Sequence, residues 1–229
     1  MFNIVTEMKS ISQNLLSIRE QLPANVLLVA VSKTQLNSAI EEAYETGQRV
    51  FGENRIQELV AKAESLPSDI QWHMIGHLQS NKVKYIAPFV SLIHAIDKPK
   101  LLTEINKEAA KNNRTIRVLL QFHIAEEESK FGFNKKEAIE LLSSKEYESY
   151  SNVEVIGVMG MATFTDNETQ VRDEFRTLKD IFDGLKRDFF PKNSSFKEIS
   201  MGMSGDYKLA ITEGSTMVRI GSSIFGNRG

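Results

Sequence analysis

The chain has 229 residues, 41% hydrophobic content, a formal net charge of -2 and no cysteine. That length buries one large core and admits one domain or two, and the near-balanced charge argues against a dedicated nucleic-acid surface or a polybasic membrane anchor. Without cysteine there is no disulfide framework, thiolate metal site or cysteine nucleophile, and no stretch has the apolar length of a transmembrane helix, so a cytoplasmic protein is the expectation.

The first segment places Ile4, Met8, Ile11, Leu15, Ile18 and Leu22 at alternating steps of four and three before Pro23. This predicts an amphipathic helix over 1–22 packed on the body of the domain. The apolar run Leu27 to Ser32 then ends on Lys33, and strand alternation puts Leu27, Val29, Val31 and Lys33 on one face. An amine at the C-terminal rim of a buried strand either snorkels to solvent or sits in a partly desolvated pocket, where the neutral form attacks carbonyls.

A helix follows over 38–47, a strand over 49–54, a helix over 56–66, a strand over 71–77 and a short helix over 80–86. The alternation continues with a strand over 90–97, a helix over 100–112, a strand over 117–124 and a helix over 134–145 with Asn134 as its N-cap. Strands over 155–161, 198–203 and 216–221 enclose helices over 168–190 and 206–211. Eight apolar strands, the first seven each followed by a helix, imply parallel pairing. With no glycine-rich turn after the first strand, the architecture expected is a single-domain (β/α)8 TIM barrel spanning 1–229.

The active face of such a barrel is its C-terminal rim, and a phosphate site commonly forms from the loops after strands 7 and 8. Those loops here read Gly202-Met203-Ser204-Gly205-Asp206 and Gly221-Ser222-Ser223, whose glycines and hydroxyls suit an anion, with the helix from Asp206 aiming its positive end inward. Alternation along the last strand points Met217, Arg219 and Gly221 inward and Val218 and Ile220 toward the helices. An inward arginine needs a carboxylate, a phosphate or a basic ring nitrogen; Asp97 or Glu53 could supply a core salt bridge. Lysine, anion cradle and arginine together describe a site for a phosphorylated aldehyde, and pyridoxal 5′-phosphate (PLP) offers a carbonyl, a phosphate and a ring nitrogen.

Five motifs carry a family resemblance: Ala30-Val31-Ser32-Lys33-Thr34, Phe51-Gly52-Glu53-Asn54-Arg55, the run from Trp72 to Lys82 containing Gly76-His77-Leu78-Gln79, Ser200 to Asp206, and Val218 to Gly226. They resemble the pyridoxal phosphate homeostasis protein family, also called the proline synthase co-transcribed family, and the N-terminal barrel of bacterial alanine racemase. The resemblance covers nearly the whole chain. It implies a (β/α)8 barrel with PLP held as an aldimine on Lys33 and phosphate contacts at Ser204, Gly221 and Ser222. Similarity to the racemase barrel puts Arg219 at the ring nitrogen, and Asn54 and His73 match family positions near the ring. Gly160 departs from the pattern, which has a Thr, Cys or similar residue there.

A charged arginine at the ring nitrogen disfavours its protonation and weakens the ring as an electron sink. The racemase's second acid/base group is a tyrosine on a separate C-terminal β domain, and this sequence stops at Gly229 after the last strand. The expectation is therefore a non-catalytic PLP carrier or regulator in intracellular vitamin B6 homeostasis, with PLP-dependent apo-enzymes as recipients. It would be a monomer, dimerisation through the first helix being the alternative. The competing readings are an amino-acid racemase or decarboxylase working from the barrel alone, and a Schiff-base aldolase. A metal enzyme ranks last, because His73 and His77 fall near opposite ends of one strand. His94 and His123 read as satisfied strand residues, Glu126-Glu127-Glu128 as a solvated loop, and Met159, Met161, Met201 and Met203 as barrel packing.

Overall fold

The computed structural model describes residues 10–126 and 131–226. Eight parallel strands, each adjacent to its neighbour in sequence, close into a barrel: β1 (Leu27–Val31), β2 (Val50–Glu53), β3 (Gln71–Met74), β4 (Leu92–Ile96), β5 (Ile116–Gln121), β6 (Val153–Met159), β7 (Glu198–Met203) and β8 (Met217–Ile220). β8 pairs back onto β1, with Leu27 opposite Met217 and Val29 opposite Arg219. This is the (β/α)8 architecture that the strand and helix rhythm requires.

Pleating divides the strands between two cores. Leu28, Ala30, Phe51, Val118, Val218 and Ile220 face an outer layer of helices. Val29, Val50, Leu92, Leu119, Met159 and Met217 fill the barrel interior. β6 gains one residue on β5, since Val118 pairs with Val155 but Leu119 with Gly157, and the extra residue, Ile156, turns into the barrel. β7 is also irregular: Ser200 is level with Met217 but Met203 with Arg219. Gly202 makes that possible, having φ +95° and a position where a Cβ would stand 2.6 Å from Ala210.

The helices are α1 (Ile11–Gln21), α2 (Asn37–Glu45), α3 (Ile56–Ser65), α4 (Val83–Ile86), α5 (Pro99–Lys111), α6 (Lys135–Leu142), α7 (Lys145–Glu148), α8 (Glu168–Asp188), α9 (Tyr207–Thr212) and α10 (Ser222–Phe225). α1 starts at a capping box between Ser10 and Gln13 and buries Leu15 and Ile18. Asn14 ties it to the carbonyl of Ile224 at 3.0 Å, and Arg19 to that of Thr46 at 2.8 Å. Ile4 and Met8 lie outside the described residues.

Three strands end two or three residues before the ranges read from the sequence, at Met74, Gln121 and Met159, and four others end one residue early. Beyond β3 and β6 the chain becomes rim loop, where Ile75, His77 and Met161 line a cavity. The helix expected over 134–145 stops at Leu142, because Ser144 caps a new turn by accepting from the Tyr147 N–H at 3.1 Å. Its start is as expected, with Asn134 accepting from Glu137 N. β8 is followed by a helix of its own, α10, that the sequence pattern did not announce.

Candidate functional site

A cavity of about 760 Å3 opens at the C-terminal rim, within the few hundred to a thousand Å3 of small-molecule sites. Lys33, Asn54, Ser204, Arg219, Gly221 and Ser222 all line it, so the structure brings together six of the seven residues the sequence singles out. The seventh, His73, lies outside the cavity lining and is 4% exposed inside the barrel.

Lys33 follows β1 by two residues and is half-buried. Both neighbours are fixed. The Ser32 hydroxyl donates to Glu53 Oε1 at 2.6 Å, its carbonyl accepts from Lys62 Nζ at 2.8 Å, and the Thr34 N–H donates to Glu58 Oε2 at 2.7 Å. Thr34 has φ +64°, a strained conformation for a β-branched residue. Lys62 also donates to Glu53 Oε1 at 2.8 Å. Burial is the larger influence on the fully buried Glu53 carboxyl and raises it above the ordinary range, with Lys62 and Ser32 pulling down.

Arg219 forms the floor. Its Nη1 donates to Ser200 Oγ at 2.5 Å and its Nη2 to the Gly160 carbonyl at 3.1 Å. Neither carboxylate considered for it is its partner: Glu53 pairs with Lys62, and Asp97 with His77. Burial lowers the guanidinium to about 10, opposed by the charge of Asp206, and it stays cationic at neutral pH. Asp206 accepts from the Met203 N–H at 2.5 Å, and burial raises its carboxyl against that bond and the arginine. A Cβ on Gly160 would meet Ile124 Cδ1 at 2.8 Å and Leu178 Cδ2 at 3.0 Å, on the helix side. What this position offers Arg219 is therefore its carbonyl.

A relay descends from this arginine. Ser200 Oγ accepts from Arg219, so its proton goes to His94 Nδ1 at 3.0 Å, and His94 Nε2–H then donates to His73 Nδ1 at 3.0 Å. That order requires both rings neutral, and burial lowers His94 well below 6.5 and His73 to about 3. His94 is thus a satisfied interior residue, as expected.

On the opposite side of the floor, the Gly221 N–H donates to Ser204 Oγ at 3.2 Å, joining the two small-residue loops. A Cβ on Gly221 would stand 3.1 Å from the Val31 carbonyl, so this turn passes closer to β1 than a side chain fits without a shift of a few tenths of an ångström. The N–H groups of Ser222 and Ser223 open α10 without an intrahelical acceptor. Hydroxyls, free N–H donors and the arginine charge form a donor set that fits a phosphate and a ring nitrogen, with an amine at the same cavity.

The other wall holds residues the sequence reading did not assign. His77, in the loop after β3, is one-third exposed and its Nδ1 lies 3.0 Å from Asp97 Oδ2, while the Asp97 side chain is 4% exposed. The ring stacks on Phe131 at 4.1 Å. Gln121, 5% exposed, holds the Phe131 carbonyl at 3.0 Å. Since β3 ends at Met74, His73 and His77 belong to barrel interior and rim respectively, and among the described residues no three His, Cys, Asp or Glu side chains gather as metal ligands. Met159 and Met201 are core, but Met161 and Met203 are 44% and 37% exposed and line the cavity. Their packing role is corrected accordingly: both stand at the rim, Met161 past the end of β6 and Met203 as the last residue of β7. Glu126 is exposed, and Glu127 and Glu128 lie outside the described residues.

The alanine racemase N-terminal domain family matches residues 7–229. The pyridoxal phosphate homeostasis protein of Aquifex aeolicus is 42% identical over 203 residues, 88% of this chain and 86% of that protein. That of Haemophilus influenzae is 39% identical, over 89% of this chain and 85% of its own. The chain belongs to the pyridoxal phosphate homeostasis protein family. Among solved structures, PipY of Synechococcus elongatus with PLP bound superposes with a TM-score of 0.86 at 34% identity, covering 95% of this chain and all of that one. Family membership and fold thus agree with the motif resemblance. Among the described residues no helix is long and apolar enough to cross a membrane.

Proposed function

We propose that this chain binds PLP as an imine on Lys33 and serves as a non-catalytic carrier that holds the cofactor and passes it to PLP-dependent apo-enzymes in the cytoplasm. The observation that carries this reading is the convergence of Lys33, Arg219 and the Ser204, Gly221 and Ser222 loops on one cavity. Bound there, PLP supplies an aldehyde carbon able to condense with amines. The chain's residues do the rest. Ser204, Ser222 and the N–H groups opening α10 take the phosphate, Arg219 meets the ring nitrogen, Asn54 lines the wall, and His73 acts at one remove, through His94 and Ser200.

The carrier reading draws support from Arg219. Its donors leave the ring nitrogen unprotonated, which weakens the ring's pull on a Cα–H bond and disfavours racemase or decarboxylase chemistry. The homeostasis function named for the Aquifex and Haemophilus relatives, and the PLP in the Synechococcus structure, point the same way.

Borohydride reduction of the PLP-loaded protein, followed by peptide mass mapping, tests the reading. A pyridoxyl adduct on Lys33 alone, with loss of the yellow absorbance, is the expected result. A protein that takes up no PLP, or carries it on other lysines, overturns it.

A further inference from the structure

We infer that His77, oriented by Asp97, is the acid/base group of the cavity and lets a free primary amine, an amino acid for example, displace Lys33 from the cofactor. The inference deepens the proposed function by giving the carrier a chemical route of release, and it rests on the imine at Lys33.

His77 and Lys33 line one cavity, on rim loops two strands apart. At ~4.8 Å between strands, that is about 10 Å of sheet, which a lysine and a histidine side chain span together. Asp97 is the buried partner of one ring nitrogen only. In the neutral ring its carboxylate takes the protonated Nδ1, so the lone pair is left on Nε2. No other polar contact engages the ring among the described residues, and Phe131 stacks on one face. The second Asp97 oxygen, Oδ1, is buried without a hydrogen bond among the described residues, and Lys98 approaches it only to 4.0 Å. A carboxylate held in that way orients the imidazole, the arrangement by which a histidine is made a general base. A histidine on a rim for packing alone needs no such partner.

The exchange requires a proton carrier. In sum, R–NH3+ and the protonated imine of Lys33 become the protonated imine of R and Lys33–NH3+. The C=N bond to Lys33 breaks, one to the incoming nitrogen forms, and two protons pass from the incoming nitrogen to that of Lys33. His77 Nε2 takes each proton and returns it to the lysine as it leaves. Nothing is oxidised or reduced, and no group other than the amine enters.

Two measurements test this. In the protein without cofactor, nitrogen-15 spectra of the histidine rings should show neutral His77 with its proton on Nδ1; a proton on Nε2 overturns the assignment. In the PLP-loaded protein, the rate at which alanine displaces Lys33, read as the spectral change per mole of cofactor loaded, should fall about a hundredfold in H77A. Added imidazole should restore much of that loss, and D97N should slow exchange with a shifted tautomer ratio. H77A melting at the wild-type temperature while exchanging at the wild-type rate overturns this inference and leaves the carrier reading standing. So does a slowed H77A that imidazole fails to rescue. No imine on Lys33 in the wild-type chain overturns both.

Discussion

Lys62 donates to the Ser32 carbonyl at 2.8 Å, one residue before the lysine that lines the cavity. The same ammonium reaches Glu53 at 2.8 Å and Glu58 at 3.4 Å, and Glu58 in turn holds the Thr34 N–H one residue past Lys33. A single cation on α3 thus braces the backbone on both sides of Lys33. The left-handed Thr34 is affordable because the carboxylate of Glu58 secures its N–H. The Lys33 side chain is long and flexible, so its placement depends on this fixed base.

Breaking that pair from one side should be costly. K62M leaves Glu53, which is 0% exposed, with an uncompensated charge or a forced proton, and stability in urea should fall by about 3–5 kcal/mol. E53Q combined with K62M removes both charges and should recover more than half of the loss. Equal destabilisation of the single and double variants would show that the Ser32 carbonyl contact, and not the ion pair, carries the energy.

How much of this was legible follows from what period and alternation encode. Alternation assigned Met217 and Arg219 to the interior and Val218 and Ile220 to the helices, as found. Glycines and serines after β7 and β8 disclosed one end of the cavity, because such loops need backbone close to a ligand. Contacts between separate strands were harder to see. His77 and Asp97 sit 20 positions apart and meet only because β3 and β4 are neighbours whose runs end early. Lys62 had a local signal, an i to i+4 pair with Glu58 beside the buried Leu59, which reads as an ordinary exposed pair until α3 is docked. His73 matched a family position yet sits beneath the cavity, since a motif gives a residue's place in the chain and not its depth in the barrel.

The two interior histidines make the fold sensitive to acid. Both pKa values are lower in the folded chain than the ordinary 6.5, His73 at about 3 and His94 well below its usual value. The unfolded chain therefore binds the extra protons. Their contribution is intact above pH 6.5 and is lost as the pH falls toward 3, at ~1 kcal/mol per pH unit for each ring. Denaturant midpoints measured from pH 7 to pH 4 should show this slope, and H94N should flatten it. A flat profile in the wild-type chain would mean that the relay tolerates an imidazolium.

Ser200 is the joint of that relay, accepting from Arg219 and donating to His94. S200A leaves a buried guanidinium N–H and a ring nitrogen unpaired, and should cost about 1–3 kcal/mol while S200T, which keeps the hydroxyl, costs less. The functional effect should follow Arg219: with its fork released, PLP affinity falls in S200A and the absorbance maximum of the bound cofactor moves. A destabilised S200A with unchanged affinity and spectrum would detach the relay from cofactor positioning.

Ser204 should report on the phosphate alone. Its hydroxyl accepts from the Gly221 N–H at 3.2 Å, which turns the hydroxyl proton outward and available to an anion. Removing it in S204A takes away one donor to a charged group, a loss of about 1.5–3 kcal/mol, so PLP affinity should fall roughly ten- to a hundredfold. Pyridoxal, which has the aldehyde and ring but no phosphate, should bind weakly to the wild-type chain and to S204A alike. G221A acts on the same end by a different route, because its Cβ would press on the Val31 carbonyl from 3.1 Å and push the α10 turn away from the anion. Competition titrations with both compounds decide the matter: an S204A chain that loses pyridoxal and PLP in equal proportion would place the phosphate elsewhere on the rim.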